Sequence, residues 1–329
     1  MYKKNINIAI TGGSGFIGQR LVDGLEVAGF NYIRPLTRKK RISTTSRRYY
    51  VGDLSDKNVS LAGFLDDVEV IYHCAGEIKN TSLMRALHVD GTASLLKAVS
   101  KQIKVTQRPI HWVQLSSVGA YGSPEGSASE RRIVTEATSC NPLGEYEVTK
   151  TMADELVIQF AEAEPLFSYT ILRPSNVIGA SMTNQSLRSL INMIKKRLFF
   201  YIGSRSAVAT YIHVDDVVSA LMLCGTDLRA RGQVFNLSND CALSEIVSAI
   251  AKASGFKAPN LCVPENLLRF IVKLTSWLVR IPLTQDRIDA LVRHTHYPTT
   301  KIKEVLDFVP QHDIPSAVTF MFKDELNAK

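Results

Sequence analysis

The stretch INIAITGGSGFIGQRLVDGLEVAG, residues 6–29, decides the fold. A short apolar run leads into three glycines at G-x-x-G-x-x-G spacing, and helical periodicity follows at once. Glycines at this spacing allow a tight turn, a close approach of backbone to pyrophosphate, and close packing of helix on strand. The helix N terminus adds unpaired N–H groups and a partial positive charge. The stretch therefore predicts a dinucleotide site, which we assign to Gly12, Gly15, Phe16, Ile17 and Gly18.

Outward from this loop, strand-like runs alternate with helical stretches. The runs are INIAI, NYIRPLT, VEVIYHC, IHWVQLSS and YTILRP, and the rhythm returns in ATYIHVDDVVSALML and GQVFNLS. Apolar residues fill these strands instead of alternating, which is typical of a sheet buried on both faces. The pattern predicts an α/β fold: a Rossmann-type, doubly wound parallel sheet.

The same rhythm suggests two parts. Residues 1–174, with 207–237 returning to them, form the predicted NAD(P)-binding Rossmann domain. Residues 175–206 and 238–329 form a smaller, mostly helical C-terminal substrate-binding part.

Composition narrows the class of protein. The chain has 329 residues, 45% hydrophobic and 21% charged, as is ordinary for a globular protein. Its net charge is +8, and a basic run at 38–48 is either a solvated loop or a site for ligand phosphates. No nucleic-acid motif accompanies the run, so we expect no nucleic-acid partner. Five scattered cysteines without a CxxC pair indicate a reducing compartment, and no signal peptide or membrane span is recognisable, so we expect a cytoplasmic protein.

The second strand decides how the adenosine half of the cofactor is read. LTRKKR carries no carboxylate at the strand end, where one would bind a ribose 2′-hydroxyl. Arg38 can instead pair with a 2′-phosphate, which favours NADP over NAD, unless it is simply the first residue of the basic loop. At the next strand ends, Asp53 and Leu54 are expected at the adenine, and Ala75 and Gly76 close to the cofactor.

GEYEVTKTMADELV, residues 144–157, places Tyr146 and Lys150 one helical turn apart. Alone, such a pair is most simply a surface pair. Beside the glycine loop and the serine-bearing strand end LSSVGAYG, it indicates a proton-transfer site.

These segments together resemble the extended short-chain dehydrogenase/reductase family, in its branch of nucleotide-sugar epimerases, dehydratases and reductases. The resemblance covers nearly the whole chain and rests on TGGSGFIG, GDL, HCAGE, LSSVGAYG, YEVTK, LRPSNVIG, YIHVDDV and TTKIKEVLDFVP. It implies a catalytic set of Ser117, Tyr146 and Lys150. The serine is Ser117 and not Ser116, because the family's serine lies four residues before the tyrosine of YG, here Tyr121.

The resemblance also implies a reaction. Tyr146 exchanges a proton with a sugar hydroxyl while hydride passes to or from the nicotinamide, and Lys150 favours the phenolate and holds the nicotinamide ribose. Val118 and Gly119 replace the Asp–Glu pair of dehydratases, which argues against dehydration. Epimerisation and net oxidation or reduction of a nucleotide-activated sugar stay open, in surface polysaccharide or sugar-nucleotide biosynthesis. The resemblance further implies substrate contact by Asn176 and a homodimer.

Two departures from the family pattern matter. His88 stands where an asparagine is usual, as part of a water or proton path or as a packed histidine. Ala209 stands where an arginine clamps nucleotide phosphate. Either Arg205 in the same loop replaces that arginine in substrate binding, or the substrate lacks the diphosphate.

The stretch ENLLRFIVKLTSWLVRI, residues 265–281, leaves a second substrate open. As a helix it either packs into the substrate part or makes peripheral membrane contact through 266–281. The latter favours a dehydrogenase of a hydrophobic, sterol-like or lipid-linked alcohol or ketone. A third possibility is a non-catalytic cofactor-sensing protein, which has no need of a proton-transfer set. His294 and His296 lack nearby carboxylates or cysteines in sequence, so we expect no metal site.

Overall fold

The computed structural model describes residues 5–123, 127–182, 185–275 and 285–323. The strands are β1 (Ile8–Thr11), β2 (Ile33–Thr37), β3 (Tyr50–Val51), β4 (Val70–His73), β5 (Ile110–Leu115), β6 (Arg131–Ile133), β7 (Phe167–Pro174), β8 (Asn176–Ile178), β9 (Tyr201–Ile202), β10 (Val208–Ala209), β11 (Tyr211–His213), β12 (Gln233–Leu237), β13 (Cys241–Ala242), β14 (Cys262–Val263) and β15 (His294–His296).

The α-helices are α1 (Phe16–Val27), α2 (Thr81–Arg85), α3 (Gly91–Thr106), α4 (Glu145–Ala163), α5 (Gln185–Lys195), α6 (Val214–Thr226), α7 (Leu243–Ala253), α8 (Glu265–Thr275), α9 (Gln285–Val292), α10 (Thr300–Leu306) and α11 (Ile314–Met321). A π-helical turn, Ala86–Asp90, joins α2 to α3. Short 3₁₀ helices span Val118–Tyr121 and Leu228–Ala230.

The main sheet has seven parallel strands in the order β12-β7-β5-β4-β1-β2-β3. From β1 the chain first winds outward through β2 and β3, and then returns to β4 on the other side of β1. The carboxyl ends of β1 and β4 therefore flank the point where the winding reverses, and in such sheets ligands bind outside that point. The predicted Rossmann-type parallel sheet is confirmed.

Helices cover both faces of this sheet, as the unbroken apolar strands required. Ile8 and Ile10 of β1 point to a cluster that includes Leu21 of α1 and Val217 of α6. Ala9 points to the opposite cluster, with residues of α3 and α4. Because both faces of β1 are buried, each of its residues is fully enclosed.

A second apolar core lies beyond the main sheet. It joins residues of α5, α7 and α11, among them Leu187, Ile246 and Val318. Residues of α10, although late in the chain, pack into the core of the main sheet instead, where Ile302 and Leu306 are buried. The division into two domains stays a prediction.

Among the described residues no helix is both long enough and apolar enough to cross a membrane.

Candidate active site

The turn between β1 and α1 is held by contacts that leave no room for side chains. Gly12 has φ +66°, and a Cβ there would lie 2.7 Å from the carbonyl oxygen of Cys74. A Cβ on Gly18 would lie 2.1 Å from the carbonyl oxygen of Gly12. Strand β4, the turn and α1 therefore meet backbone to backbone. Gly15 caps α1 without a side chain, so the first N–H groups of the helix, beginning at Phe16 and Ile17, face this edge.

The end of β4 is fixed against the same turn. The amide of Ala75 donates to Thr11 Oγ1 at 3.2 Å, and that oxygen contacts His73 Nδ1 at 2.7 Å. Gly76 follows, and a Cβ on it would sit 3.6 Å from His88 Nε2. Ala75 and Gly76 thus lie at the point where a cofactor is expected.

Arg38 is exposed, directly after β2. Its charge helps to lower the pKa of the carboxyl groups of Asp53 and Glu77, so the loops after three strands converge around it. For Asp53, burial opposes this shift, whereas hydrogen bonds from Ser55 and the charge of Arg38 outweigh burial. Asp53 Oδ1 accepts from the Ser55 amide at 2.9 Å and the Ser55 hydroxyl at 2.7 Å. Leu54 is 5% exposed and packs in the core, which leaves its backbone as the part nearest the edge.

Two other arginines of the basic run are tied to α1. Arg47 bridges to Asp23 at 2.9 Å and to Glu26, and Arg41 donates to Gln19 Oε1 at 2.7 Å. A surface cavity of about 460 Å³ borders this loop, but it opens at the start of β2, the end remote from the glycine turn. We assign the cofactor to the carboxyl edge of the sheet and not to this cavity, because the glycine turn and the helix N terminus lie at that edge.

The catalytic residues predicted from sequence come from β5 and α4. Lys150 is 5% exposed and its Nζ donates to the carbonyl oxygen of Leu115, the last residue of β5. Ser117 lies two residues further and caps the 3₁₀ helix, its Oγ accepting from the Gly119 amide at 3.1 Å. Tyr146 is half-buried one turn before Lys150. The lysine contact therefore brings the helix of Tyr146 to the strand end that carries Ser117.

A buried polar network below Lys150 was missed by sequence reasoning. The Ser116 hydroxyl donates to Asp154 Oδ2 at 2.6 Å, and Arg173 Nη2 contacts the same oxygen at 3.2 Å. Ser116 is 3% exposed, whereas Ser117 is partly exposed, and the catalytic role of Ser117 stays a prediction. The signal was available, because Asp154 follows Lys150 by one helical turn.

The chain itself favours the phenol form of Tyr146. Burial, with the negative charges of Asp154 and Glu147, raises the pKa of Tyr146 to about 12. Burial also lowers the pKa of Lys150, against the opposing effects of Asp154 and Cys74. The expected lowering of the tyrosine pKa by Lys150 is thus outweighed within the protein, since desolvation disfavours both charged forms.

Of the other predicted substrate residues, Asn176 lies on a small sheet and Arg205 in a loop. Asn176 begins β8, which pairs with β11, and its Nδ2 donates to the carbonyl oxygen of Thr210 at 3.1 Å. Arg205 is exposed in the loop between β9 and β10, over the Tyr201 ring at 5.1 Å. Ala209 is 6% exposed within β10. Arg205 Nη1 also donates to Asn260 Oδ1 at 3.2 Å, and its binding of substrate stays a prediction.

One cluster of possible metal ligands occurs in the described part of the chain: His213, Asp215 and His312, with ligand atoms within 4.8 Å of one another. Asp215 already pairs with Arg20 at 2.7 Å, and His312 Nδ1 contacts Asp216 at 2.9 Å. Because a guanidinium occupies the carboxylate, we propose no metal for this cluster.

With this geometry in view, the chain can be compared with known proteins. Residues 8–238 match the family described as NAD dependent epimerase/dehydratase family. The chain belongs to this family. It is therefore an enzyme of the NAD-dependent epimerase and dehydrogenase type, as the sequence resemblance predicted. The hypothesis of a non-catalytic sensor is not supported.

Individual relatives are distant. The chain is 24% identical to an N-acetyl-alpha-D-glucosaminyl-diphospho-ditrans,octacis-undecaprenol 4-epimerase of Escherichia coli O157:H7, covering 80% of this chain and 77% of that protein. It is 22% identical to a sterol-4-alpha-carboxylate 3-dehydrogenase, decarboxylating, of Mus musculus, covering 94% and 88%. A crystal structure of UDP-glucuronic acid 4-epimerase from Bacillus cereus in complex with NAD is similar in fold, with a TM-score of 0.71, 18% identity, and coverage of 98% and 96%.

Proposed function

We propose that this protein is an NAD(P)-dependent epimerase or reductase of a nucleotide-activated sugar, acting through Ser117, Tyr146 and Lys150. The observation that carries the proposal is the bond from Lys150 Nζ to the Leu115 carbonyl, which brings α4 to the end of β5. Family membership, over residues 8–238, supports a cofactor at the neighbouring glycine turn.

The residues have distinct tasks in this proposal. The nicotinamide cofactor supplies the hydride acceptor or donor and, when oxidised, a positive charge. Tyr146 takes the proton from the sugar hydroxyl, or returns it, and Ser117 binds the reacting oxygen. Lys150, held by Leu115, orients the nicotinamide ribose and places its positive charge one turn from Tyr146.

We propose NADP as the preferred cofactor. Arg38 is exposed beside the end of β2, and no carboxylate of β2 itself competes for a ribose hydroxyl. The Bacillus cereus structure contains NAD, so the preference for NADP rests on Arg38 alone. Arg205, exposed in the loop between β9 and β10, is proposed to bind the substrate diphosphate in place of an arginine at position 209.

Substitution of the tyrosine tests the catalytic assignment. Tyr146→Phe removes only the hydroxyl, so turnover of UDP-linked sugars is expected to fall by about 10²-fold or more, while NADH binding stays within about twofold. Tyr32→Phe, at an exposed tyrosine before β2, is the matched control and should leave both unchanged. Near-normal turnover in Tyr146→Phe would show that another group moves the proton.

A second substrate class, a lipid-linked or sterol-like alcohol or ketone, is favoured by the surface of α8. Leu268 and Val272 of this helix are buried, but Leu267, Phe270, Ile271 and Leu274 are 40–63% exposed. Two of the relatives act, by their names, on a polyprenol-linked sugar and on a sterol carboxylate. Turnover of an undecaprenyl-diphosphate sugar without turnover of UDP sugars would establish this class, and the reverse result would eliminate it.

A further inference from the structure

His88 lies in the π-helical turn between α2 and α3, with 1% of its surface exposed. The turn carries one residue more than an α-helix would. It is fixed by Thr92, whose Oγ1 donates to the His88 carbonyl at 2.5 Å and contacts His73 Nε2 at 3.0 Å. Turns of this kind often occur at functional sites. Here the imidazole points between the end of β4 and α4.

Both ring nitrogens of His88 have partners with defined roles. Nε2 accepts from the amide of Glu77 at 2.9 Å, and because a backbone amide can only donate, Nε2 carries no proton. Nδ1 therefore carries it and donates to Thr149 Oγ1 at 2.8 Å. The Thr149 hydroxyl in turn donates a hydrogen bond to the carbonyl oxygen of Glu145 at 2.7 Å. A histidine held in one tautomer at both nitrogens has no site for a relayed proton, so a role in a proton path is not supported.

The same ring touches the two sides of the candidate site. Its edge meets the ring of Tyr146 at a centroid distance of 5.6 Å and an interplanar angle of 83°. Its Nε2 accepts from the Glu77 amide at 2.9 Å, at the strand end where the cofactor is expected, and a Cβ on Gly76 would lie 3.6 Å from the same nitrogen. A single side chain thus spans from the cofactor edge to the catalytic helix.

We propose that His88 is a positioning residue, which clamps the β4 end at Gly76–Glu77 to α4 and so fixes the distance between the bound nicotinamide and Tyr146. The part of this proposal that concerns Tyr146 rests on the proposed function. The contact of His88 with the β4 end does not depend on it. An imidazolium would lose the bond from Glu77, because both of its nitrogens donate. Burial, assisted by the charge of Lys150, lowers the pKa of His88 to about 3, so the clamp persists at neutral pH.

The clamp is tested through NADH binding, which needs no substrate. His88→Leu introduces an apolar side chain of similar bulk and leaves the Glu77 amide without an acceptor. We therefore expect NADH affinity to fall about tenfold. His88→Gln places an acceptor near the position of Nε2, so affinity should return to within about threefold of the wild-type value. His88→Asn offers a donor only near Nδ1 and should bind NADH as weakly as His88→Leu.

The order of the variants separates a clamp from packing. If His88 served packing alone, His88→Leu would keep NADH affinity best among the variants. If His88 is a clamp, His88→Gln keeps it best. The emission of bound NADH, a report on the nicotinamide environment, should follow the same order. NADH binding of His88→Leu within twofold of wild type, or His88→Gln binding no more tightly than His88→Leu, overturns the proposal.

Two further variants keep the test decisive. If the His88 variants do not fold, Thr149→Val releases the other end of the clamp with little change of shape, and unchanged NADH emission and affinity in that variant overturn the proposal. The Tyr146→Phe background separates the two proposals. The effect of His88→Leu on NADH affinity should persist there, even if Tyr146 proves not to be the proton-transfer residue.

Discussion

At the scale of single residues, burial favours the neutral forms of both Tyr146 and Lys150, whereas the proposed reaction uses their charged forms. In the proposed reaction Tyr146 loses a proton, yet its burial and the nearby Asp154 and Glu147 favour the phenol. Lys150 is one turn away but is itself disfavoured as a cation by burial. In the proposed reaction, the positive charge of an oxidised nicotinamide is therefore needed to bring the tyrosine into range. The proton transfer would then be coupled to the redox state of the cofactor.

A phenolate titration tests this electrostatic picture. In protein without cofactor, the pKa of Tyr146 should be about 12, well above the ordinary tyrosine pKa of ~10. The difference in phenolate absorbance between wild type and Tyr146→Phe should be absent up to about pH 10 and then grow. Tyr32→Phe controls for the loss of one phenol. A midpoint below ~10 would show that Lys150 dominates in the protein alone.

Arg38 carries the proposed cofactor preference. Arg38→Ala removes the guanidinium proposed to pair with the 2′-phosphate, so the Kd for NADPH should rise about tenfold, a loss of about 1.4 kcal/mol, with NADH binding within about twofold. The matched control is Arg41→Ala, since Arg41 donates to Gln19 at 2.7 Å and is tied to α1. Equal losses for both cofactors would assign Arg38 to the loop and not to the phosphate. Fluorescence titration measures each Kd.

At the scale of elements, the β1–α1 unit follows directly from the order of its residues. Apolar Ile8–Thr11 forms a strand enclosed on both faces, and the glycines let α1 start against it. The helical segment after β4 differs: it is divided into α2, a π-helical turn and α3. Periodicity cannot reveal that division, because the fit of the His88 ring against Thr149 of α4 depends on tertiary packing.

Gly18 tests the turn as an element. In Gly18→Ala the new Cβ would lie 2.1 Å from the Gly12 carbonyl, a backbone atom that cannot swing aside. The free energy of unfolding is expected to fall by about 1–3 kcal/mol, and NADH binding to be lost with the distorted turn. Gly24→Ala in the same helix is the control, since its Cβ would meet only side-chain atoms, Val218 Cγ1 at 3.1 Å and Met222 Sδ at 3.5 Å. Urea unfolding measures the stability of both variants, and NADH titration measures their cofactor binding. Equal stability and equal NADH affinity of the two variants would argue against a specific role for the turn.

At the scale of the whole molecule, the apolar surface of α8 stands apart from the cores. The α8 stripe, Leu267, Phe270, Ile271 and Leu274, repeats at helical spacing on the side away from the buried Leu268 and Val272. Arg269 is held beside it by Glu265 at 2.9 Å and Asp289 at 2.6 Å. Helix α8 follows β14, which pairs with β9 next to the loop of Arg205. Trp277 and the rest of the predicted contact, 276–281, lie outside the described residues.

Vesicle binding tests the stripe. The protein, with its net charge of +8, should co-sediment with vesicles of equal parts phosphatidylglycerol and phosphatidylcholine, and the double variant Phe270→Ser, Leu274→Ser should lose most of that binding. The control is Val105→Ser on α3, an equally apolar side chain that is 82% exposed on another element. If wild type and double variant sediment alike, the stripe does not contact lipid.

The sequence by itself determined the fold and the family, because glycine spacing and strand–helix alternation are local consequences of backbone geometry. It also named the members of the candidate site, since Tyr146 and Lys150 are neighbours on one helix. What only the tertiary structure decided is how their environment acts. Burial, which sets the direction of the Tyr146 and Lys150 pKa shifts, comes from residues distant in the chain. The place of His88, between Glu77 and Thr149, likewise exists only once α4 packs against the end of β4.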